Sequence, residues 1–304
     1  MKSTILKIND ISYAYNNKVA ALLNISLEIN KGDIFFLIGA NGSGKSTLIK
    51  NILGLLTPVS GSILVDDLDM NDKNRVYLMH KLGVLIENAA YYDHLTVNQN
   101  LKLIAAYYNV GNGTIDETIK LVGLTGFEHK KASILSTGYK QRLGLGMAIL
   151  HRPNLVILDE PTNGLDPQAI IEFRELITQL NQQLGITFFL TTHILNEVER
   201  LATHVAIIRN GHILEYFSIK ALYENYATVQ VPFLSDTDIK ELDSKSELLY
   251  YTMGNRTEII FSNTIEFKDI GLSTSITGNA SPTTLNLETY YLCKCAQYDK
   301  INKA

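Results

Sequence analysis

The stretch Gly39-Ala40-Asn41-Gly42-Ser43-Gly44-Lys45-Ser46-Thr47 constrains this chain more than any other. Its glycines let the backbone fold around a phosphate chain, with successive N–H groups pointing inward as an anion nest. Before it stands Ile34-Phe35-Phe36-Leu37-Ile38, a short β-branched and aromatic run of the kind that forms a buried strand. After it, Ser46 to Leu56 predicts a helix closed by Thr57-Pro58. Strand, glycine loop and helix in that order present the positive helix N-terminus to the same phosphates. Lys45 then reaches the β- and γ-phosphates, and the Ser46 hydroxyl ligates Mg²⁺.

Two more buried-strand candidates, Leu155 to Leu158 and Ile186 to Leu190, flank a helix predicted over Pro167 to Leu184. In that helix Ile170, Ile171, Phe173, Leu176, Ile177, Leu180 and Leu184 recur at helical spacing, and Pro167 suits the first turn. Strands separated by helices make residues 1 to about 217 an α/β domain with a largely parallel sheet. Residues 96 to 150 are mostly helical in pattern, with Gly111, Gly113, Gly123 and Gly126 as breaks and no clear strand, and read as a helical insertion. Leu155-Val156-Ile157-Leu158 runs into Asp159-Glu160, two carboxylates at the carboxyl end of a strand, where ligands sit in open α/β sheets. There Asp159 can hold Mg²⁺ and Glu160 can act as a general base on water. Ser136, in Leu135-Ser136-Thr137-Gly138-Tyr139-Lys140-Gln141-Arg142, caps a helix running to about Leu150.

From about Ser218 the chain grows richer in Ser, Thr, Tyr and Asn. Thr257-Glu258-Ile259-Ile260-Phe261 alternates like a strand, Gly254-Asn255 signals a turn, and Pro282 to Tyr298 predicts a final helix. Residues 220 to 304 read as a small α+β appendage. Composition narrows the class further. With 46% hydrophobic and 19% charged residues, the 304-residue chain can bury a core. Its net charge of −4 lacks the positive field of a nucleic-acid binder. Apolar runs are far shorter than the roughly 20 residues of a membrane span. With no apolar leader at the start, and only Cys293 and Cys295, a soluble cytoplasmic chain is expected. That cysteine pair has no His nearby and reads as structural rather than metal-binding.

Taken together, these motifs resemble those of the ATP-binding subunits of ABC transporters, over residues 1 to about 217. Gly39 to Thr47 resembles Walker A, Leu155 to Glu160 Walker B, and Leu135 to Gln141 the signature motif. Asn163-Gly164-Leu165-Asp166-Pro167 resembles the D-loop, Thr192-His193 the switch histidine, and Tyr15 the aromatic residue that stacks on adenine. The bland alternative for Tyr15 is a half-buried strand residue. The resemblance implies a P-loop ABC ATPase core that hydrolyses ATP with Mg²⁺, using Glu160, His193 and Lys45. It also implies a head-to-tail dimer with a second copy or a similar subunit, in which Ser136 and Gly138 contact the partner's γ-phosphate, and a separate membrane permease. Nucleic acid is not an expected partner. The rival reading is a soluble ABC ATPase of translation or DNA repair.

Two departures from the family pattern matter. The common Ser-Gly-Gly-Gln is Ser136-Thr137-Gly138-Tyr139 here, which leaves the contacts of Thr137 and Tyr139 open. In Leu82-Gly83-Val84-Leu85-Ile86-Glu87-Asn88, Glu87 stands where the family usually has Gln. That carboxylate resembles the variant in bacitracin-resistance and lantibiotic-immunity exporters, and implies Glu87 as a metal-side oxygen with an altered Mg²⁺ dependence. The alternative is an exposed loop Glu. Tyr91, Tyr92, His94, Tyr107 and Tyr108 follow it. They either pack inside the insertion or form an aromatic docking face for the permease.

Overall fold

Alternating apolar residues open the chain as two strands of a hairpin, β1 (Thr4–Tyr15) and β2 (Val19–Asn30). They pair antiparallel with Leu6 opposite Ile29 and Ile8 opposite Leu27, which puts Leu6, Ile8, Ile25 and Ile29 in the core. The computed structural model of the protein describes residues 3–16, 19–86 and 90–302. Two compact units make up the chain. One comprises Met1–His193 and Ile208–Ile213, the other Ile194–Ile207 and Leu214–Ala304.

In the first unit, β3 (Ile34–Ile38) is buried at every position and leads through the glycine loop into α1 (Lys45–Ile52). β4 (Ser60–Val65) and β5 (Leu68–Asp69) complete an antiparallel sheet in the order β2-β1-β4-β5. The chain continues through α2 (Arg75–Met79) and β6 (Leu82–Leu85). Three helices follow, α3 (Val97–Tyr108), α4 (Asn112–Leu121) and α5 (Thr137–Ile149), and then β7 (Leu155–Asp159), α6 (Pro167–Leu184) and β8 (Thr187–Thr192). β3, β8, β7 and β6 lie side by side in parallel, with Ile34 beside Phe188, Leu155 beside Thr187 and Leu82 beside Leu155. Such strands are covered on both faces, which explains their unbroken apolar runs.

The predicted strands and the Pro167–Leu184 helix are present. Asp166 caps that helix by accepting from the Ala169 N–H at 2.9 Å, and Gly185 ends it at φ 66°. The helical stretch carries only an isolated bridge between Thr96 and Lys131. α1, however, stops at Ile52, short of the expected Leu56. Gly54 turns left-handed at φ 64°, and the Leu55 and Leu56 N–H groups fold back onto the Lys50 carbonyl. That glycine, rather than Pro58, is the stop.

The second unit contains α7 (Leu195–Leu201), the stems of a hairpin formed by β9 (His204–Arg209) and β10 (His212–Ser218), and α8 (Ile219–Asn225). Next come β11 (Tyr226–Pro232), α9 (Asp236–Asp243), β12 (Leu249–Met253) and β13 (Arg256–Ser262). α10 (Thr274–Thr277), β14 (Ser281–Thr283) and α11 (Leu287–Ile301) end the chain. The antiparallel sheet runs β12-β13-β11-β14, and Val231, Leu242, Ile259 and Ile276 form its core. Gly254, at φ 59°, makes the expected turn between β12 and β13. The last helix begins at Leu287 rather than Pro282. Pro282 lies in the short edge strand β14, and Asn286 caps the helix through the Thr289 N–H at 2.8 Å. Cys293 and Cys295 are buried in α11. Burial, with a lesser push from Glu258, raises the Cys293 thiol to about 12, so it stays protonated at neutral pH.

Candidate functional site

The glycine loop holds its shape because side chains are excluded from it. A Cβ on Gly39 would stand 2.4 Å from the Ile208 carbonyl oxygen, and one on Gly44, at φ 115°, would stand 2.8 Å from that of Ala21. Gly44 is also the N-cap of α1 and brings no side-chain oxygen, so the first N–H groups of the helix await an external acceptor. Lys45 is 6% exposed, and its Nζ donates to the Gly39 carbonyl at 2.7 Å and the Ala40 carbonyl at 3.3 Å. These bonds arch the loop and aim the ammonium across its mouth. Among the described residues the Ser43 hydroxyl is buried without a partner. A buried polar group at that position is costly until it meets a ligand.

β7 and β8 deliver the acidic half of the site from adjacent strand ends. Asp159, 4% exposed, accepts from the Ser46 hydroxyl at 3.0 Å and from the Thr191 hydroxyl at 2.5 Å. Glu160 departs from the strand at φ 49°, and its N–H is held by the Thr191 carbonyl at 3.2 Å and hydroxyl at 3.0 Å. That turn points its carboxylate back at the loop. One oxygen lies 3.4 Å from Lys45 Nζ, and the other 2.8 Å from His193 Nδ1. Thr191 is the residue that sequence reasoning missed. Its signal, a hydroxyl at the end of an apolar strand, is too common to single out.

Tyr15 ends β1 with its ring 40% exposed, edge-on to Tyr13 at 5.0 Å, and its hydroxyl 3.2 Å from Thr47 Oγ1. A cleft of about 410 Å³ brings Tyr15 together with Asn41, Gly42, Lys45, Ser46 and Glu160. Ala40 and Asn41 are exposed at its rim. Its oxygen donors, a hydroxyl beside a buried carboxylate, are hard ligands that suit Mg²⁺. Among the described residues no cluster of three or more His, Cys, Asp or Glu could hold a metal alone. Mg²⁺ held through one or two protein oxygens usually takes the rest of its shell from waters and substrate phosphates.

The signature residues form a second group. Ser136 caps α5 through the Tyr139 N–H at 3.4 Å, Thr137 and Gln141 lie in the helix, and the Tyr139 ring packs on Phe127 at 4.3 Å. Ser136, Gly138, Tyr139 and Asp166 line a groove of about 210 Å³. Gly164, at φ 77°, and Leu165 form the turn into Asp166. Neither the signature nor Asp166 lines the cleft of the glycine loop. Glu87 lies outside the described residues. Of the aromatic cluster, Tyr92, His94 and Tyr107 are exposed, whereas Tyr108 stacks on His151 at 3.8 Å.

A family model described as ABC transporter matches residues 22–163. The bacitracin transport ATP-binding protein BcrA of Bacillus licheniformis is 40% identical over 214 residues, 70% of this chain and 69% of that protein. The lantibiotic transport ATP-binding protein SrtF of Streptococcus pyogenes is 37% identical over 209 residues, 69% of this chain and 89% of that protein. Among solved structures, cbiO1 from Clostridium perfringens, part of the ABC transporter complex cbiONQ, superposes with a TM-score of 0.69. Its identity is 29%, over 73% of this chain and 91% of that one. The chain belongs to the ATP-binding subunits of ABC transporters. It is an ATPase that serves a separate membrane permease, and the translation or repair reading finds no support in these relatives. Among the described residues no helix is long and apolar enough to cross a membrane.

Proposed function

We propose that this chain powers export of an antimicrobial peptide or related amphipathic cargo, with Glu160 as the general base of ATP hydrolysis. The observation that carries the catalytic part is the position of one carboxylate within reach of both Lys45 and His193. Glu160 takes a proton from water attacking the γ-phosphate, and His193, held at Nδ1 by Glu160, presents the rest of its ring to the phosphate. Lys45 exchanges its loop carbonyls for phosphate oxygens and stabilises the transferred charge. Tyr15 stacks on adenine, and Gly39 to Thr47 enclose the phosphates. Ser46, Asp159 and Glu87 are the proposed ligands of Mg²⁺, which neutralises phosphate charge when bound. Residues 1–217 form the ATPase domain and residues 220–304 an accessory domain.

The separation of the signature groove from the phosphate cleft supports completion of the site by a second subunit. In that arrangement Ser136, Thr137, Gly138, Tyr139 and Gln141, with the D-loop Gly164, Leu165 and Asp166, face the partner's nucleotide. A helix N-terminus then meets the γ-phosphate in trans. The complex sits on the inner face of the cell membrane through its permease. The names of the relatives, which transport bacitracin and lantibiotic, support the cargo class. Glu160→Gln is the test. Hydrolysis is expected to fall by at least about 100-fold, while ATP binding survives and light scattering reports an ATP-dependent dimer. Unchanged hydrolysis removes Glu160 as base, and a variant that stays monomeric at saturating ATP, with or without permease, removes the shared-nucleotide dimer.

A further inference from the structure

Four Asn-Gly pairs occur in the chain, beginning at Asn41, Asn112, Asn163 and Asn210. Such a pair is chemically labile wherever its backbone can turn. Glycine has no Cβ to shield its nitrogen, so that nitrogen can reach the side-chain carbonyl carbon of the preceding asparagine. The reaction needs a glycine N–H that no hydrogen bond holds, and a backbone free to rotate at the asparagine.

These two conditions separate the pairs. Asn112 and Gly113 lie in the first turn of α4, whose helical dihedrals fix them. Asn210 and Gly211 join β9 to β10, and the Gly211 N–H donates to the Ser43 carbonyl at 3.0 Å. Asn41 and Gly42 differ from both. They are the exposed central residues of a turn closed by the Ser43 N–H donating to the Ala40 carbonyl at 3.2 Å. Gly42 stands at φ 79° with open space where a Cβ would lie, and its N–H reaches no backbone carbonyl among the described residues. Asn163 and Gly164 repeat the arrangement, in a turn closed from the Leu165 N–H to the Thr162 carbonyl at 3.2 Å with Gly164 at φ 77°.

We propose that Asn41-Gly42 is a self-modification site within the phosphate loop. The Gly42 nitrogen attacks the Asn41 Cγ, the side-chain nitrogen leaves as ammonia with the Gly42 amide proton, and water opens the resulting cyclic imide to aspartate or isoaspartate. Either product disables the loop. Aspartate adds a negative charge at a cleft that Asn41 lines together with Lys45. Isoaspartate lengthens the main chain by a carbon in a loop where Gly39 and Gly44 leave no room for a methyl. A bound nucleotide blocks the reaction, because phosphate oxygens hold the loop amides still. That protection rests on the reading of Gly39 to Thr47 as the phosphate enclosure, whereas the reaction itself does not. An idle ATPase therefore ages at its own active loop, and an occupied one is spared.

The test incubates the full-length protein in warm, mildly alkaline buffer below its melting range, and measures aspartate and isoaspartate at each pair by peptide mapping. Asn41 is expected to convert roughly fivefold faster than Asn210, whose glycine must first give up a hydrogen bond. Mg-ADP at about ten times its dissociation constant is expected to slow conversion at Asn41 roughly tenfold, since only the free loop reacts, and to leave Asn112 unchanged. Modified Asn41 is expected to collect in the protein that ATP-agarose no longer retains. Equal rates at Asn41 and Asn210, conversion that ADP leaves unchanged while a titration shows ADP bound, or modified Asn41 spread evenly between retained and unretained protein overturns the proposal. A titration that shows no ADP binding removes the phosphate reading of the loop instead, and the ratio of Asn41 to Asn210 conversion still decides the reaction.

Discussion

The first and second units treat buried polar groups in opposite ways. In the first, Lys45, Ser46, Asp159, Glu160, Thr191 and His193 converge on one cleft, and nearly every oxygen and nitrogen is engaged by another member of the set. In the second, the polar contacts are spread among caps and surface pairs, such as the Ser235–Asp238 capping box, while a cleft of about 680 Å³ is lined mostly by apolar and aromatic side chains. The first arrangement binds a highly charged ligand by rigid geometry. The second offers mainly the shape of an apolar wall. Chemistry that depends on fixed positions leaves a motif in the sequence, and recognition by an apolar wall leaves none.

Substitution sharpens this contrast, and the largest expected effect is at the loop. Gly39→Ala places a methyl 2.4 Å from a backbone oxygen, so the loop must shift. A displacement of about 1 Å among positioned groups lowers kcat/KM roughly 100-fold, measurable by phosphate release while the melting of the second unit stays unchanged. Next comes Ile259→Ala in the core of the second unit, where the residue is fully buried. It is expected to cost about 3 kcal/mol in urea unfolding and to leave nucleotide affinity within about twofold, since Ile259 packs within the core of the second unit. An equal loss of nucleotide affinity would break the division between the units.

The smallest effect is a pH dependence within the first unit. His151 stacks on Tyr108 with its Nε2 3.1 Å from the Leu82 carbonyl, and its Nδ1 is buried with no partner among the described residues. Burial holds its pKa below the usual 6.5, with the Leu82 bond opposing and His80 adding to the drop. The folded state therefore binds fewer protons than the unfolded one, so stability is full above about 6.5 and declines as pH falls towards the folded value. With partial exposure screening it, the loss is less than about 1 kcal/mol. His151→Phe should flatten the urea midpoint between pH 7 and pH 5, and an unchanged slope would move the titration elsewhere.

The parallel strands and α6 were legible because periodicity and caps agree there: Asp166, Pro167 and Gly185 bracket an apolar stripe. The β1–β2 hairpin was not, because its twelve-residue strands run through repeated register shifts that blur alternation. The start of α11 was misplaced for a related reason. Pro282 suits a helix start but equally suits an edge strand, and only pairing with Val229 decides between them. In the site, Gly39, Lys45, Ser46, Asp159 and Glu160 could be named from spacing and context, and His193 from the family resemblance. Thr191 could not, since its importance arises from parallel pairing with Asp159 across two strands. The apolar cleft of the second unit has no sequence signature because its lining comes from segments scattered between Tyr223 and Leu285.

The bare N-cap at Gly44 has a consequence beyond binding. A helix whose opening turn carries no oxygen of its own borrows its final satisfaction from solvent or from a passing anion. The order of that turn thus follows cellular energy charge: the same amides that grip the triphosphate become a local record of how much of it is at hand.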